Sequence, residues 1–217
     1  MRLEVREEVF PLARAFTISR GSRTEARVLT VTLEEDGVRG RGECVPYARY
    51  GESVESVVAA IESVRDEIEA GCDRARLQGL LSAGAARNAL DCALWDFDAK
   101  RLDVRAFQMA GLHRLSTATT AYTISVGTPD AMAEAAAKAA ARPVLKIKLA
   151  GPGDRERVAA VRAAAPDAQL IVDANEAWAE ADLETHFAAC AAAGVALVEQ
   201  PLPAGQDAAL ARVKRPI

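Results

Sequence analysis

Hydrophobic and polar positions change their period twice along this chain. Residues 2–10 alternate loosely, and residues 26–34 (ARVLTVTLE) are rich in β-branched and aliphatic side chains. Both read as strands, because a strand presents successive side chains to opposite faces. Glu35-Asp36-Gly37 is a tight-turn signal, and residues 38–45 (VRGRGECV) are predicted to return as the hairpin partner. Residues 53–70 then place Val54, Val57, Val58, Ile61, Val64 and Ile68 three and four apart, which predicts one helix. Residues 83–101 put Ala86, Leu90, Leu94 and Phe97 on one stripe, with Asp91, Trp95 and Asp98 elsewhere around that helix. Gly111 and His113 mark a break.

From about Ser116 the pattern becomes strand, then helix, repeated. TTAYTISVG precedes a predicted helix near 129–142, VLKIKLAG one near 154–165, QLIVDAN one near 179–193 and VALVEQPL one near 206–213. Short β-rich runs alternating with helices imply right-handed βαβ units and a parallel sheet. Gly37, Gly40 and Gly42 do not join a strand to a helix, so they are not a dinucleotide fingerprint; hairpin geometry is the expected account of them.

Thr123, Lys148, Asp173 and Glu199 stand near the ends of these strands, 25, 25 and 26 residues apart. A near-constant interval marks the same point in successive units, so the four side chains are expected at one end of one sheet. In a (β/α)₈ barrel that end is the C-terminal mouth, where active sites lie. Alternation directs Leu145, Ile147 and Leu149 toward covering helices and Lys146 and Lys148 the other way. Asp173 and Asn175 share a face, with Val172 opposite. A parallel strand covered on both faces should be continuously aliphatic, and two lysines break that rule. Isolated buried charges cost several kcal/mol, so these groups are paired or bind something. One account is a salt-bridged interior, with Lys146 and Lys148 neutralising Asp173 and Glu199. The other is a ligand site.

Composition narrows the classes. The 217 residues are 50% hydrophobic and 27% charged, with a net charge of −4. That excludes a disordered chain and is long for one domain but short for two. No apolar run approaches the ~18–20 residues of a membrane span. The N-terminal MRLEVREEVFPL lacks a secretory pattern, and no basic block points to nucleic acid. Cys44, Cys72, Cys92 and Cys190 form no C-x-x-C pair, and only His113 and His186 accompany them, which argues against zinc. The cysteines read as buried reduced thiols of a cytoplasmic protein. His186 reads as a helix-surface residue and Trp178 as packing at the mouth of the third unit.

Carboxylates without His or Cys neighbours are hard oxygen ligands suited to Mg²⁺. Asp173 and Glu199 offer two. Lys148 is the candidate base, because a second ammonium at Lys146 and a nearby divalent cation both disfavour its protonated form. A base beside a metal suits removal of a proton α to a carboxylate, the metal stabilising the enolate.

That pairing of lysine with Mg²⁺ is the known arrangement of enolase-superfamily sites. The chain resembles that superfamily, and within it the dipeptide epimerases of the L-Ala-D/L-Glu type. The resemblance is carried by FTISRGSRTEARV, GRGECVPYARYGES, AGAARNALDCALWDF, LKIKLAG, LIVDANEAW and VEQPLPAGQDAAL. The K-x-K, D-x-N and E-Q-P elements in combination are specific to the superfamily, and the cap segments suggest the subgroup. The resemblance implies an α/β fold with an α+β cap over about 1–115, followed over 116–217 by the first half of a (β/α)₇β TIM-type barrel. It implies Lys148 as base on one face of the substrate carbon and Lys146 as a holder of the substrate carboxylate. Asp173 and Glu199 would bind Mg²⁺, and Thr123 would touch the dipeptide. Arg20, in the cap loop, matches an arginine that meets a substrate carboxylate, a role its guanidinium fork suits. Arg23 could share it. The implied partner is a small dipeptide, in peptidoglycan peptide recycling in the cytoplasm, with no nucleic acid or membrane partner and the oligomeric state left open.

A complete barrel takes roughly 250 residues, so the chain reads as an N-terminal fragment. The resemblance implies a third metal carboxylate just beyond Ile217 and an opposite-face lysine farther on. With Lys148 alone, the 217-residue chain is expected not to complete a two-face proton exchange. Two other readings stay open. One is another superfamily reaction, such as cycloisomerisation or dehydration of a carboxylate; the other is a non-catalytic fragment that only binds or assembles.

Overall fold

The computed structural model describes Met1–Val213. It divides into two compact units: Met1–Leu12 with Glu25–Ser116, and Ala13–Thr24 with the chain from Thr117 onward. The hairpin tip at 13–24 therefore groups with the second half of the sequence.

The first unit is an antiparallel sheet carrying helices. Its strands are β1 (Arg2–Ile18), β2 (Gly21–Glu35) and β3 (Val38–Cys44), in that order across the sheet. Asp36-Gly37 makes the predicted two-residue turn, with φ of 49° and 78°, the left-handed pair that a twisted hairpin requires. Leu29, Val31 and Leu33 alternate inward and are fully buried. The helices are α1 (Val54–Glu62), α2 (Arg65–Glu69), α3 (Arg74–Leu80), α4 (Ala85–Arg101) and α5 (Ala106–Met109). The stripe Ala86, Leu90, Leu94 and Phe97 of α4 is buried as predicted.

Two local expectations change. The single helix over 53–70 is two, because the Ser63 hydroxyl donates back to the Ala60 carbonyl at 2.8 Å. Val64 N then bonds to Ile61 O, three residues back, which tightens the turn and breaks the run. Gly40 and Gly42 are not turn residues. They bring β3 against the α4 backbone: a Cβ at Gly42 would lie 2.7 Å from Ala93 N, and one at Gly40 2.6 Å from Phe97 N.

The second unit repeats strand and helix as expected: β4 (Tyr122–Ile124), α6 (Pro129–Lys138), β5 (Val144–Lys148), α7 (Asp154–Ala164), β6 (Gln169–Asp173), α8 (Leu183–Ala192) and β7 (Val195–Glu199). The four strands pair in parallel in sequence order. The stretch near 206–213 is a 3₁₀ helix, Asp207–Arg212. Leu145, Ile147, Leu149, Leu170 and Val172 are fully buried in the core with Met132, Val158, Val161 and Phe187 of the helices. No helix of the described residues is long and apolar enough to cross a membrane.

Candidate active site

Pairing register decides which side chains meet. Lys148 is level with Asp173, and Asp173 with Glu199. β7 carries a bulge: Leu170 pairs with Val195 and Ile171 with Leu197, leaving Ala196 over. That extra residue matches the longer third interval. Thr123, however, pairs with Lys146, one inward-facing step below Lys148. The equal spacing in sequence thus brings three of the four predicted residues level, and places Thr123 beside the other lysine.

The three level residues and Lys146 form one ion-pair network. Lys148 Nζ donates to Asp173 Oδ2 at 2.6 Å. Lys146 Nζ lies 3.2 Å from the same oxygen and 2.5 Å from Glu199 Oε2. Asp173 Oδ1 accepts from Asn175 N at 2.9 Å. The Asp173 side chain is 2% exposed and that of Glu199 41%, so the network runs from the interior toward solvent. Burial pushes the Asp173 carboxyl up, but the hydrogen bonds from Lys148 and the Asn175 amide outweigh it and hold it below the usual carboxylate range. Burial pulls the Lys146 ammonium down, and its bonds to Glu199 and Asp173 outweigh that and raise it. Lys146 thus faces Lys148 with its own charge paired to two carboxylates, Asp173 and Glu199.

The hairpin tip sits on the loop after β6. Ser19 Oγ and Arg20 Nη1 both donate to Asn175 O, at 2.8 and 2.9 Å, and Arg20 lies 3.8 Å from Glu176. Lys148 Nζ lies 6.0 Å from the Phe16 ring centroid. Asn175, Glu176 and Gln200 have φ of 48°, 67° and 44°. These are left-handed backbones on non-glycine residues, which cost of order 1–3 kcal/mol each and cluster at functional sites. Ser19 and Gln200 were not singled out in the sequence; Gln200 lies within the E-Q-P element, and Ser19 adjoins Arg20. Trp178 is 2% exposed in the loop after β6, as expected, but His186 is half-buried and stacks on it at 4.3 Å.

The donor set fits Mg²⁺. Asp173 and Glu199 are hard oxygen ligands on adjacent strands, and Mg²⁺ is commonly held by one or two carboxylates while keeping waters. Asn175 Oδ1 nearby is buried and has no hydrogen-bond partner, so a polar atom there stands ready for a donor or cation. Among the described residues no group of three or more His, Cys, Asp or Glu is placed to hold a metal.

An antiparallel sheet with helices, followed by parallel strands whose ends carry a Lys-x-Lys pair and two acids in register, is the architecture the resemblance to the enolase superfamily implies. Comparison with known proteins agrees. The family described as "Mandelate racemase / muconate lactonizing enzyme, N-terminal domain" matches residues 1–111, and "Enolase C-terminal domain-like" matches residues 131–217. The L-Ala-D/L-Glu epimerase of Escherichia coli (strain K12) is 50% identical over 99% of this chain and 68% of its own. A crystal structure of an enolase family member from Agrobacterium tumefaciens, described as having homology to dipeptide epimerases and holding sodium and L-Ala-L-Glu, is 49% identical. It superimposes with a TM-score of 0.96 over 99% of this chain and 66% of its own. A dipeptide epimerase from Enterococcus faecalis, complexed with Mg and L-Leu-L-Tyr, is 29% identical with a TM-score of 0.85, over 96% of this chain and 63% of its own. The chain belongs to the mandelate racemase / muconate lactonizing enzyme family of the enolase superfamily. It spans about two thirds of the length of these relatives.

Proposed function

We propose that this protein acts as a Mg²⁺-dependent dipeptide epimerase of the L-Ala-D/L-Glu type, recycling murein peptides in the cytoplasm on a TIM-type barrel. The observation that carries the reading is the register of Lys148, Asp173 and Glu199 at adjacent strand ends, with Lys146 on the same face. The similarity to the Escherichia coli epimerase supports the substrate class. Four unpaired thiols suit a reducing compartment; three are buried as expected, whereas Cys92, on α4, is exposed.

Lys148 Nζ takes the proton from the substrate Cα on one face. Lys146 places an ammonium beside the substrate carboxylate, and Thr123, level with it, offers a hydroxyl. Asp173 and Glu199 would hold Mg²⁺, which when bound supplies a Lewis acid for the charge that develops on that carboxylate. Arg20 is anchored through one nitrogen to Asn175 O, which leaves other guanidinium N–H groups for a second substrate carboxylate. Epimerisation also needs a proton returned on the opposite face, a position that Lys146 and Lys148, sharing one side of one strand, do not occupy.

Incubation with L-Ala-D-Glu in D₂O and Mg²⁺, followed by ¹H NMR, tests the reading. Loss of the α-proton signal reports Lys148, and change of configuration reports an opposite-face donor. Lys148→Ala should abolish exchange while Glu199→Gln weakens Mg²⁺ dependence. Absence of exchange with any Ala-X dipeptide by a protein of the relatives' full length refutes the assignment; with Lys148 alone, the 217-residue chain is not expected to complete the epimerisation.

A further inference from the structure

Asp154 is a charged residue that the sequence marks only as the start of a helix, yet it is 1% exposed. Each of its oxygens takes two donors. Oδ1 accepts from Ala150 N at 3.0 Å and Arg157 Nη1 at 2.8 Å. Oδ2 accepts from Gly151 N at 2.7 Å and Trp178 Nε1 at 2.8 Å. Those donors come from different loops. Ala150 and Gly151 lie two and three residues after Lys148, and Trp178 lies in the loop after Asp173.

The network reaches further on both sides. Arg157 Nε donates to Gly127 O, in the loop after β4, at 2.8 Å. Trp178 N donates to Pro201 O, in the loop after β7, at 3.0 Å. All four strand-end loops are thus joined through Arg157, Asp154 and Trp178. A carboxylate buried this deeply is destabilising unless its lone pairs are filled, and here they are filled by the backbone and side chains that follow the candidate site residues. A helix start needs only a local cap; an acid that reaches across to an indole on the next loop does more than cap.

We propose that Asp154 is a positioning residue: it locks the four strand-end loops together and so fixes Lys148 relative to Asp173 and Glu199. Its catalytic consequence rests on the epimerase reading given above; the coupling of the loops does not. Arg157 and Trp178 are the two arms through which it acts.

Hydrogen–deuterium exchange by mass spectrometry on Asp154→Asn, in the full chain, tests the coupling without any substrate. Peptides covering 125–128, 149–153, 176–179 and 200–203 should lose protection together, by about tenfold or more. Loss confined to 149–153 makes Asp154 a local helix cap and overturns the proposal. Trp178→Phe keeps a ring against His186 and deletes a single donor. It serves where Asp154→Asn does not fold, and should loosen 176–179 and 200–203. In the dipeptide assay both variants should lower kcat about tenfold with KM changed less than about twofold. Unchanged kcat in loosened variants also overturns it. If the unmodified chain exchanges no dipeptide α-proton, the kcat comparison drops out, and the deuterium pattern alone decides whether the loops are coupled.

Discussion

Gly42→Ala should destabilise the first unit, and the size of the effect can be worked from the packing. A Cβ at position 42 would lie 2.7 Å from Ala93 N and 3.0 Å from Ala89 C, and closer still to the Ala89 carbonyl oxygen. Ordinary carbon contacts fall at about 3.5–4.0 Å, so β3 and α4 would have to separate by several tenths of an ångström or more. The obstructing atoms are helix backbone, which cannot swing aside as a side chain would. Overpacking of this kind costs about 1–3 kcal/mol, and a rigid neighbour puts it near the upper end. Removing a glycine from the unfolded chain offsets about 0.4–1 kcal/mol, leaving a net loss of roughly 2 kcal/mol. At a urea dependence of about 1–3 kcal/mol per molar, the midpoint should fall by roughly 1 M. Trp95, on α4 with the Arg74 guanidinium 3.5 Å over its ring, reports this unit by fluorescence once Trp178→Phe silences the other tryptophan in parent and variant alike. Gly79→Ala is the opposite control. It lies inside α3 with nothing within 4 Å of its would-be Cβ, and should gain about 0.5–1 kcal/mol. A Gly42→Ala midpoint within about 0.2 M of the parent would refute the close-approach argument.

Other outcomes follow from the ion pairs and thiols. Asp173→Asn leaves Lys148 without its carboxylate while Lys146 keeps Glu199; stability should drop by about 2–4 kcal/mol in urea titration, and Mg²⁺ binding measured by calorimetry should weaken. Because the folded state holds the Asp173 carboxyl below its ordinary value of 3.8, the stability it contributes is present above about pH 4 and is lost as pH falls through the folded value. Asp173→Asn should therefore flatten the acid limb of a pH–stability curve; an unchanged limb contradicts this. Burial pushes the Cys190 thiol up to about 12 and that of Cys44 up to about 11. Exposed Cys92 should accordingly be alkylated first by iodoacetamide at pH 8, with Cys44 and Cys190 protected until urea is added.

Much of the fold was legible because period alone carries it. The β5 alternation put Lys146 and Lys148 on one side and three aliphatics on the other, and the structure buries Leu145, Ile147 and Leu149 completely. The Asp36-Gly37 turn and the α4 stripe were equally local signals. What escaped the sequence depends on elements far apart along the chain. The level of Thr123 is set by pairing register, which interval counting cannot separate from helix and loop length. Gly40 and Gly42 looked like hairpin glycines because the helix backbone that excludes their side chains lies some fifty residues away. The anchoring of Ser19 and Arg20 on Asn175 spans more than 150 residues. Asp154 stood only as the first residue of the helix predicted near 154–165, and its link to the Trp178 indole was not visible.

The network of lysines and acids also bears on whether these charges are merely structural. Paired charges inside a protein seldom stabilise it more than apolar residues of similar volume would. The helix-facing side of the same sheet shows the apolar alternative in place, with Leu145, Ile147, Leu170 and Val172 all buried. The other face keeps Lys146, Lys148, Asp173 and Glu199, whose charges sum to zero and whose members lie within 3.2 Å of a partner. Immediately beyond the two acids come three non-glycine residues in left-handed backbone, Asn175, Glu176 and Gln200, and one buried oxygen, Asn175 Oδ1, that finds no partner. A sheet optimised only for stability has no use for strain and an unsatisfied atom at the same edge where it spends four charges. Their coincidence at the strand ends favours the ligand site proposed above over a purely structural ion-pair network.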